Sequence, residues 1–171
     1  MKLNIIVSIA NNGCIGGNNT LLWKQSEDLK RFKSLTDGRV VIMGQKTYES
    51  LPFKPLKNRT NIVITNDYDV NFVGCVMAYS IDDAIEKSFY WADGPYLRFC
   101  NGDVFIIGGG MIYKQFLPLS NKLYITRIDV DIEGDTYFPD LDDTWKKTFS
   151  EYHEKDEKNQ YNYTYEIYDK A

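Results

Sequence analysis

The stretch Val104-Phe105-Ile106-Ile107-Gly108-Gly109-Gly110-Met111-Ile112-Tyr113 sets the architecture. Four apolar residues run into three glycines, and the pattern that follows, through Leu117, is helical, so a buried strand turns directly into a helix. A second junction of the same kind lies upstream. Val40-Val41-Ile42-Met43 is a short apolar strand, and Gly44 to Leu51 reads as a helix closed by Pro52. Strands alternating with helices predict an α/β fold with a mainly parallel sheet and helices on both faces. Such sheets take ligands at the carboxyl ends of their strands.

Working outward, Ile5 to Ala10 is a buried first strand ending in Asn11-Asn12-Gly13, and Gly16-Gly17-Asn18-Asn19 is a loop. Ser26 is the expected N-cap of a helix that runs to about Thr36 and stops before Gly38. Asn61 to Thr65, Gly74 to Met77 and Leu123 to Thr126 are further strands. Ser80 and Asp83 resemble a capping box for a helix through Lys87. In the tail, Tyr161, Tyr163, Tyr165 and Ile167 alternate with Asn162, Thr164 and Glu166. A period of two predicts a half-exposed antiparallel strand, paired as a hairpin with Thr148 to His153. No repeat, low-complexity tract or linker divides the chain, so one domain spanning residues 1–171 is expected.

Composition narrows the function classes. The 171 residues carry 43% hydrophobic and 26% charged side chains, enough for a packed core. A net charge of -4 argues against a general nucleic-acid binder, which needs a basic face, and any anionic ligand must be held by local cations. Cys14, Cys75 and Cys100 show no pairing pattern, which suggests reduced thiols. The sole histidine, His153, gives poor support to a histidine-rich metal site, and no metal is expected. The apolar opening, Met1 to Ser8, is too short for a signal peptide or a membrane span, so a cytoplasmic protein is expected.

The most informative residue is an acid on an apolar face. At about 100° per residue, Phe32 falls about 40° and Leu35 about 20° from Asp28, so the acid sits inside the apolar stripe. Burial there raises its pKa unless something pairs with it. An N-terminal acid satisfied by backbone amides is one reading; a functional carboxylate is the other. Leu21-Leu22-Trp23 leads into the helix and brings an indole donor close by. Asp28, Leu29, Phe32 and an aromatic lid would suit a flat heterocycle whose paired N–H groups meet one carboxylate. Arg59, near Lys54 and Lys57, is either part of a solvated charge run or a clamp for a carboxylate tail. The triple glycine matches neither the dinucleotide fingerprint nor a Walker loop. With Gly44-Gln45-Lys46-Thr47 it nonetheless makes two strand-to-helix junctions, which suit an extended ligand with two phosphates.

Taken together, these segments resemble the dihydrofolate reductase family from Asn4 to about Tyr168. The matching pieces, in the family's order, are Ile15-Gly16 before Trp23, Asp28-Leu29 with Phe32, and Val41-Ile42-Met43-Gly44 with Thr47, Tyr48, Glu49 and Ser50. Arg59 with Asn61-Ile62 follows, then Ile107-Gly108-Gly109-Gly110 with Tyr113, Gln115, Phe116 and Leu117, then Gly134-Asp135-Thr136 with Phe138-Pro139. The resemblance implies hydride transfer from NADPH to 7,8-dihydrofolate, in a monomer with no nucleic-acid or membrane partner. It implies that Asp28 holds the pterin, supported by Thr126, with Trp23 ordering a water and Leu21 beside them as catalytic residues. Ile6, Leu29, Phe32, Leu51 and Leu56 would line the substrate slot, and Arg59 would pair with the glutamate carboxylate of folate. Backbone groups of Val7 and Ile107 would meet the ring edges, with Tyr113 nearby.

For the cofactor it implies Ile15, Gly16 and Asn19 from a closing loop that ends at Leu22, and phosphate contacts from Gly44, Lys46, Thr47 and Gly108 to Gly110. Gln45, Thr65, Asn66, Met111 and Ile112 complete that set. Gln45, Asn66 and Met111 stand where many members carry an arginine, serine or similar polar group around the 2′-phosphate, and Leu22 stands where a proline is usual. A riboflavin-pathway pyrimidine reductase shares the fold and the glycine turn, but Asp28 with Phe32 and Arg59 fit folate better. A catalytically idle nucleotide-binding protein on the same scaffold is opposed by the intact acid, arginine and glycine turn. An RNA-binding domain lacks its basic face and paired aromatics.

Overall fold

The computed structural model describes residues 1–18, 20–92 and 102–171; Asn19 and Cys100 lie outside the described residues. Strand β1 (Lys2–Ala10) runs up the middle of the sheet, and β2 (Cys14–Gly16) follows it. Helix α1 (Ser26–Thr36), β3 (Val40–Gly44), α2 (Gln45–Ser50), β4 (Thr60–Ile64) and β5 (Cys75–Ala78) come next. Then come α3 (Ile81–Ala92), β6 (Asp103–Gly108), α4 (Gly110–Phe116), β7 (Lys122–Ile128), β8 (Thr136–Tyr137), β9 (Trp145–His153) and β10 (Tyr163–Lys170). Eight strands form one sheet in the order β5-β4-β3-β6-β1-β7-β10-β9, and β2 pairs separately with β8. The ladders from β5 to β7 are parallel, whereas β10 is antiparallel to both β7 and β9. This is the expected α/β class, with the tail hairpin added at one side.

Continuous apolar runs form the inner strands because both faces are covered. Val40, Val41, Ile42 and Met43 are all fully buried. On one face, Phe32 and Leu35 of α1 and Tyr48 of α2 join Ile6, Val41, Met43 and Phe105 in one cluster. On the other, Ala84 of α3 and Ile112, Tyr113 and Phe116 of α4 pack on Ile5, Val7, Ile42 and Ile106. Odd and even residues of β1 therefore feed different layers, as the strand period requires.

Three local expectations are corrected. Ser26 is not the N-cap of α1: Gln25 holds that position, with no side-chain cap of its own. The open amides of the first turn are instead met from the far end of the chain. Ser26 N donates to the Lys158 carbonyl at 3.2 Å and Glu27 N to Asn159 Oδ1 at 3.1 Å. Helix α3 runs past Lys87 to Ala92, since Phe89, Tyr90 and Trp91 contain no breaker. Its box is closed by Asp83 N donating to Ser80 Oγ at 3.0 Å and Tyr79 N donating to Asp83 Oδ2 at 2.9 Å. Strand β10 does not alternate cleanly. Tyr163 and Glu166 are its buried residues: Tyr163 packs in a cluster with Trp23 and Ile128, and Glu166 is paired with Arg127 and Lys147 on the two flanking strands.

Candidate active site

Asp28 stands in the first turn of α1, where the helix crosses the carboxyl ends of β1 and β7. Register places Ser8 of β1 opposite Thr126 of β7, so two hydroxyls lie side by side on one face. Thr126 Oγ1 donates to Asp28 Oδ1 at 2.5 Å, and the neighbouring Ser8 hydroxyl helps to lower the pKa of the carboxylate. Trp23 is buried, and its indole N–H donates to Ser8 Oγ at 3.1 Å. Tryptophan, serine and acid thus form one chain of contacts. Burial pushes the Asp28 pKa above the ordinary carboxylate value, and Thr126, Arg31 and Ser8 each pull it part of the way back. Ser8 was missed in the sequence. Its only signal is a lone hydroxyl in the apolar run Ile5-Ile6-Val7-Ser8-Ile9-Ala10.

A cleft of about 310 Å³ opens in front of the acid, lined by Leu21, Trp23, Ser26 and Leu29, with Lys24 and Lys158 at its edge. Leu21 and Leu29 are 54% and 58% exposed, so they are cleft walls and not core. Ile6, Phe32, Leu51, Leu56 and Ile107 come together in the apolar cluster beneath α1 and α2. Arg59 lies over the Phe32 ring, its Cζ 5.8 Å from the centroid. Its Nε donates to the Lys57 carbonyl at 2.9 Å and its Nη1 to Thr36 Oγ1 at 3.1 Å, which aims the guanidinium beside the apolar wall. Lys54 and Lys57 are exposed, as a solvated charge run would be.

The two strand-to-helix junctions meet across the β3–β6 ladder. Strands β1 and β6 pair only as far as Ile5 and Ile106; beyond, a bulge in the β3–β6 register sets Met43 opposite Gly108 and passes over Ile107. Ile6, Val7 and Ile107 therefore edge a gap between parting strands, where Tyr113 OH donates to the Ile6 carbonyl at 2.9 Å. The three glycines have separate reasons. Gly108 has φ +123, and a Cβ on Gly109 would lie 3.2 Å from Thr47 Oγ1. A Cβ on Gly110 would lie 2.6 Å from Thr136 Cγ2. Gly44 likewise packs its bare Cα on Ile112, 3.1 Å away for a Cβ. Lys46 is exposed at the start of α2 and Met111 is 72% exposed on α4.

The loop from Ile15 to Leu22 is tied to this place by β8. Gly16 pairs with Thr136, and Asn18 N donates to Asp135 Oδ2 at 2.9 Å, one cause of the lowered Asp135 pKa. A Cβ on Gly134 would stand 2.3 Å from the Gly16 carbonyl. The segment Gly134-Asp135-Thr136 is thus the loop's anchor, a role that spacing alone did not reveal. On the outer side, Gln45, Thr65 and Asn66 line an open groove of about 580 Å³ together with Asp67, Tyr68 and Asp69. Gln45 is already engaged there: Thr65 Oγ1 donates to its Oε1 at 2.6 Å, and its Nε2 donates to Glu49 Oε1 at 2.9 Å.

Among the described residues, no group of three or more His, Cys, Asp or Glu could hold a metal ion. No helix among them is long and apolar enough to cross a membrane.

Comparison with known proteins gives a consistent answer. The family model described as dihydrofolate reductase matches residues 2–170. A dihydrofolate reductase of Buchnera aphidicola is 41% identical over 169 residues, covering 98% of each chain. One of Bacillus subtilis is 38% identical over 171 residues, covering 98% of this chain and 94% of that one. Among solved structures, the Enterococcus faecalis dihydrofolate reductase complexed with NADP(H) and RAB-propyl superposes with TM-score 0.86 at 32% identity. It covers 99% of this chain, and 96% of that chain is matched.

Proposed function

This chain belongs to the dihydrofolate reductase family, and from that premise we propose that the partly buried acid of α1 is where its substrate is held. The chain reduces 7,8-dihydrofolate to tetrahydrofolate with NADPH. The observation that carries our reading of the site is the Asp28 carboxylate, desolvated against Thr126 and Ser8 beside a cleft. An ionised carboxylate there accepts two parallel hydrogen bonds, from the 2-amino group and the adjacent ring nitrogen of the pterin. Leu21, Trp23, Leu29, Phe32, Leu51 and Leu56 wall the slot, and Arg59 pairs with the glutamate carboxylate of the substrate. Such pairing fixes the ring against the gap edged by Ile6, Val7 and Ile107, so reaction becomes largely a matter of positioning.

The residues present fit the cofactor. Parting strands β1 and β6 leave a gap for a flat ring, bare glycine backbone opens α4, and Lys46 supplies a local cation at α2. Lys46, Thr47 and Gly108 to Gly110 would hold its phosphates. Ile15, Gly16, Ile112 and Tyr113 would flank its ring, and Gly44, Thr65, Asn66 and Met111 its far end. Because Gln45 is committed to Thr65 and Glu49, preference for the 2′-phosphate falls to Lys46. When bound, this group supplies the hydride. Asp28 is placed to stabilise positive charge on the pterin, while a water carries the proton to the ring nitrogen, and the anchored loop up to Leu22 keeps bulk solvent out. On the same reading residues 1–171 work as one domain, a cytoplasmic monomer acting on a small molecule without nucleic acid or membrane.

The test is direct. Dihydrofolate and NADPH are added to the purified chain, and the fall in cofactor absorbance is followed. The wild type turns over, and Asp28→Asn loses most of that turnover at neutral pH. Wild-type turnover in the variant overturns the assignment of the acid.

A further inference from the structure

Behind the Asp28 carboxylate stands a cation that the proposed reaction does not use. Arg31 follows Asp28 by three residues on α1, on the same side of the helix, and is half-buried. Its Cζ lies 4.2 Å from the centroid of the Tyr165 ring and 5.9 Å from that of Tyr124. Its Nη1 donates to the Ile125 carbonyl at 3.5 Å, and Ile125 immediately precedes Thr126, the donor to Asp28. One face of α1 thus grips two consecutive residues of β7. The cation holds a main-chain carbonyl, and the acid holds a side-chain hydroxyl.

We propose that Arg31 is the fixed counter-charge of Asp28, a positioning residue that acts on the substrate only through that acid. The proposal rests on the reading of Asp28 given above. A guanidinium stays protonated at any working pH, and two aromatic faces hold it, with Glu151 of β9, opposite Tyr165, a weaker anionic neighbour than Asp28. Over the two rings and partly out of water, it is screened from Asp28 less than a fully exposed cation would be. Each charge offsets part of the other's burial: burial lowers the Arg31 pKa while Asp28 raises it, and the reverse holds for the acid.

Among the described residues, the groups facing Asp28 from each neighbouring element are few. They are Ser8 on β1, Thr126 on β7, Tyr113 on α4, and Tyr163 and Tyr165 on β10. Burial pushes the pKa of all three phenols up, so they stay neutral. Lys24 and Lys158 line the cleft but are exposed, where water screens them. Arg31 is therefore the cation that the fold itself holds near the acid.

The experiment follows the side-chain carboxyl carbon of Asp28 by carbon-13 NMR against pH, the signal being assigned by its loss in Asp28→Asn. In Arg31→Met, which keeps an apolar stem on Tyr165, the titration midpoint moves up and turnover at neutral pH falls about threefold to tenfold. Arg31→Lys restores part of both, because it returns the charge without the planar stack. Tyr165→Leu, which removes the platform but leaves the arginine, moves the midpoint in the same direction by less, and it serves if Arg31→Met does not fold. An unchanged midpoint in folded Arg31→Met or Tyr165→Leu overturns the proposal. Wild-type turnover in Asp28→Asn would overturn the reading of the acid instead, and the carboxyl titration would still decide whether the two charges are paired.

Discussion

Asp28 and Glu166 approach β7 from opposite faces of the same sheet and are satisfied in opposite ways. Tyr165 pairs with Thr126 on the side of Asp28, and the next residue, Glu166, pairs with Ile125 and points to the other layer. Glu166 is 6% exposed. It accepts from Lys147 Nζ at 2.6 Å, Arg127 Nη2 at 3.3 Å and the Tyr168 hydroxyl at 3.1 Å. Burial raises its pKa, but Lys147 and Arg127 more than reverse that, and the net shift is downward. For Asp28 burial wins, because its partners are two hydroxyls and one arginine held by other groups. A carboxylate that only holds strands together is fully paired within the protein. One that keeps spare capacity and a raised pKa has room for a ligand.

The sharpest test of that contrast is Asp28→Asn, expected to lower turnover by about a hundredfold to a thousandfold. The same change is expected to leave stability equal or to raise it by about 1 kcal/mol. The sign follows from linkage. The folded acid binds its proton more tightly than the unfolded one, whose reference value is 3.8. Stability therefore falls as pH rises from that value through the folded one, and the deficit persists at neutral pH. Urea denaturation of both proteins at neutral pH and in acid measures it. An asparagine variant less stable than wild type at neutral pH would break the contrast.

Glu166→Gln should do the reverse. It leaves Arg127 and Lys147 with no counter-charge and is expected to cost roughly 2–3 kcal/mol, less than a fully buried pair because both cations reach solvent. Turnover per folded molecule should not change. Its pKa is depressed from 4.5, so its contribution is complete above that value and is lost as pH falls through the folded one. The stability gap between wild type and Glu166→Gln should accordingly close in acid. A gap that persists there, or a large fall in turnover, would show that the two acids are not separate in role.

Asp28 could be read from the sequence because a helix stripe announces which face is apolar, and a charge on it stands out. The strands and both glycine junctions were legible for the same reason: apolar runs and glycines are local signals. Glu166 was not. Alternation says that neighbours point to opposite faces, but not which face is covered, and β9 had to be placed before the glutamate could be seen as buried. Ser8 gave only one hydroxyl in an apolar strand. The contacts that give Gln45 its role, Thr65 and Glu49, belong to the next strand and the next helical turn, and no pattern joins them. The cap of α1 was misassigned to Ser26 because caps are sought nearby, whereas its acceptor, on Asn159, is 132 positions away.

That remote cap carries the smallest of the expected effects and bears on why Asp28 stays where it is. Asn159 is buried, and its Nδ2 donates to Asp156 Oδ1 at 2.9 Å while its Oδ1 accepts from Glu27 N. Beside it, the Gln25 side chain takes both backbone groups of Tyr161, accepting from its N at 2.9 Å and donating to its carbonyl at 3.0 Å. The helix that presents the acid is therefore pinned at its first turn by residues 156–161, of which Lys158 also lines the cleft. Asn159→Ala should cost about 1 kcal/mol, the usual loss for a cap. It should also lower turnover by about twofold to fivefold, through slackened placement of Asp28. Glu166→Gln, by contrast, destabilises more and leaves turnover alone, so the two variants order oppositely in stability and in rate. Equal turnover in both would mean that α1 is held by its packing on the sheet alone, and that the acid's position owes nothing to the tail.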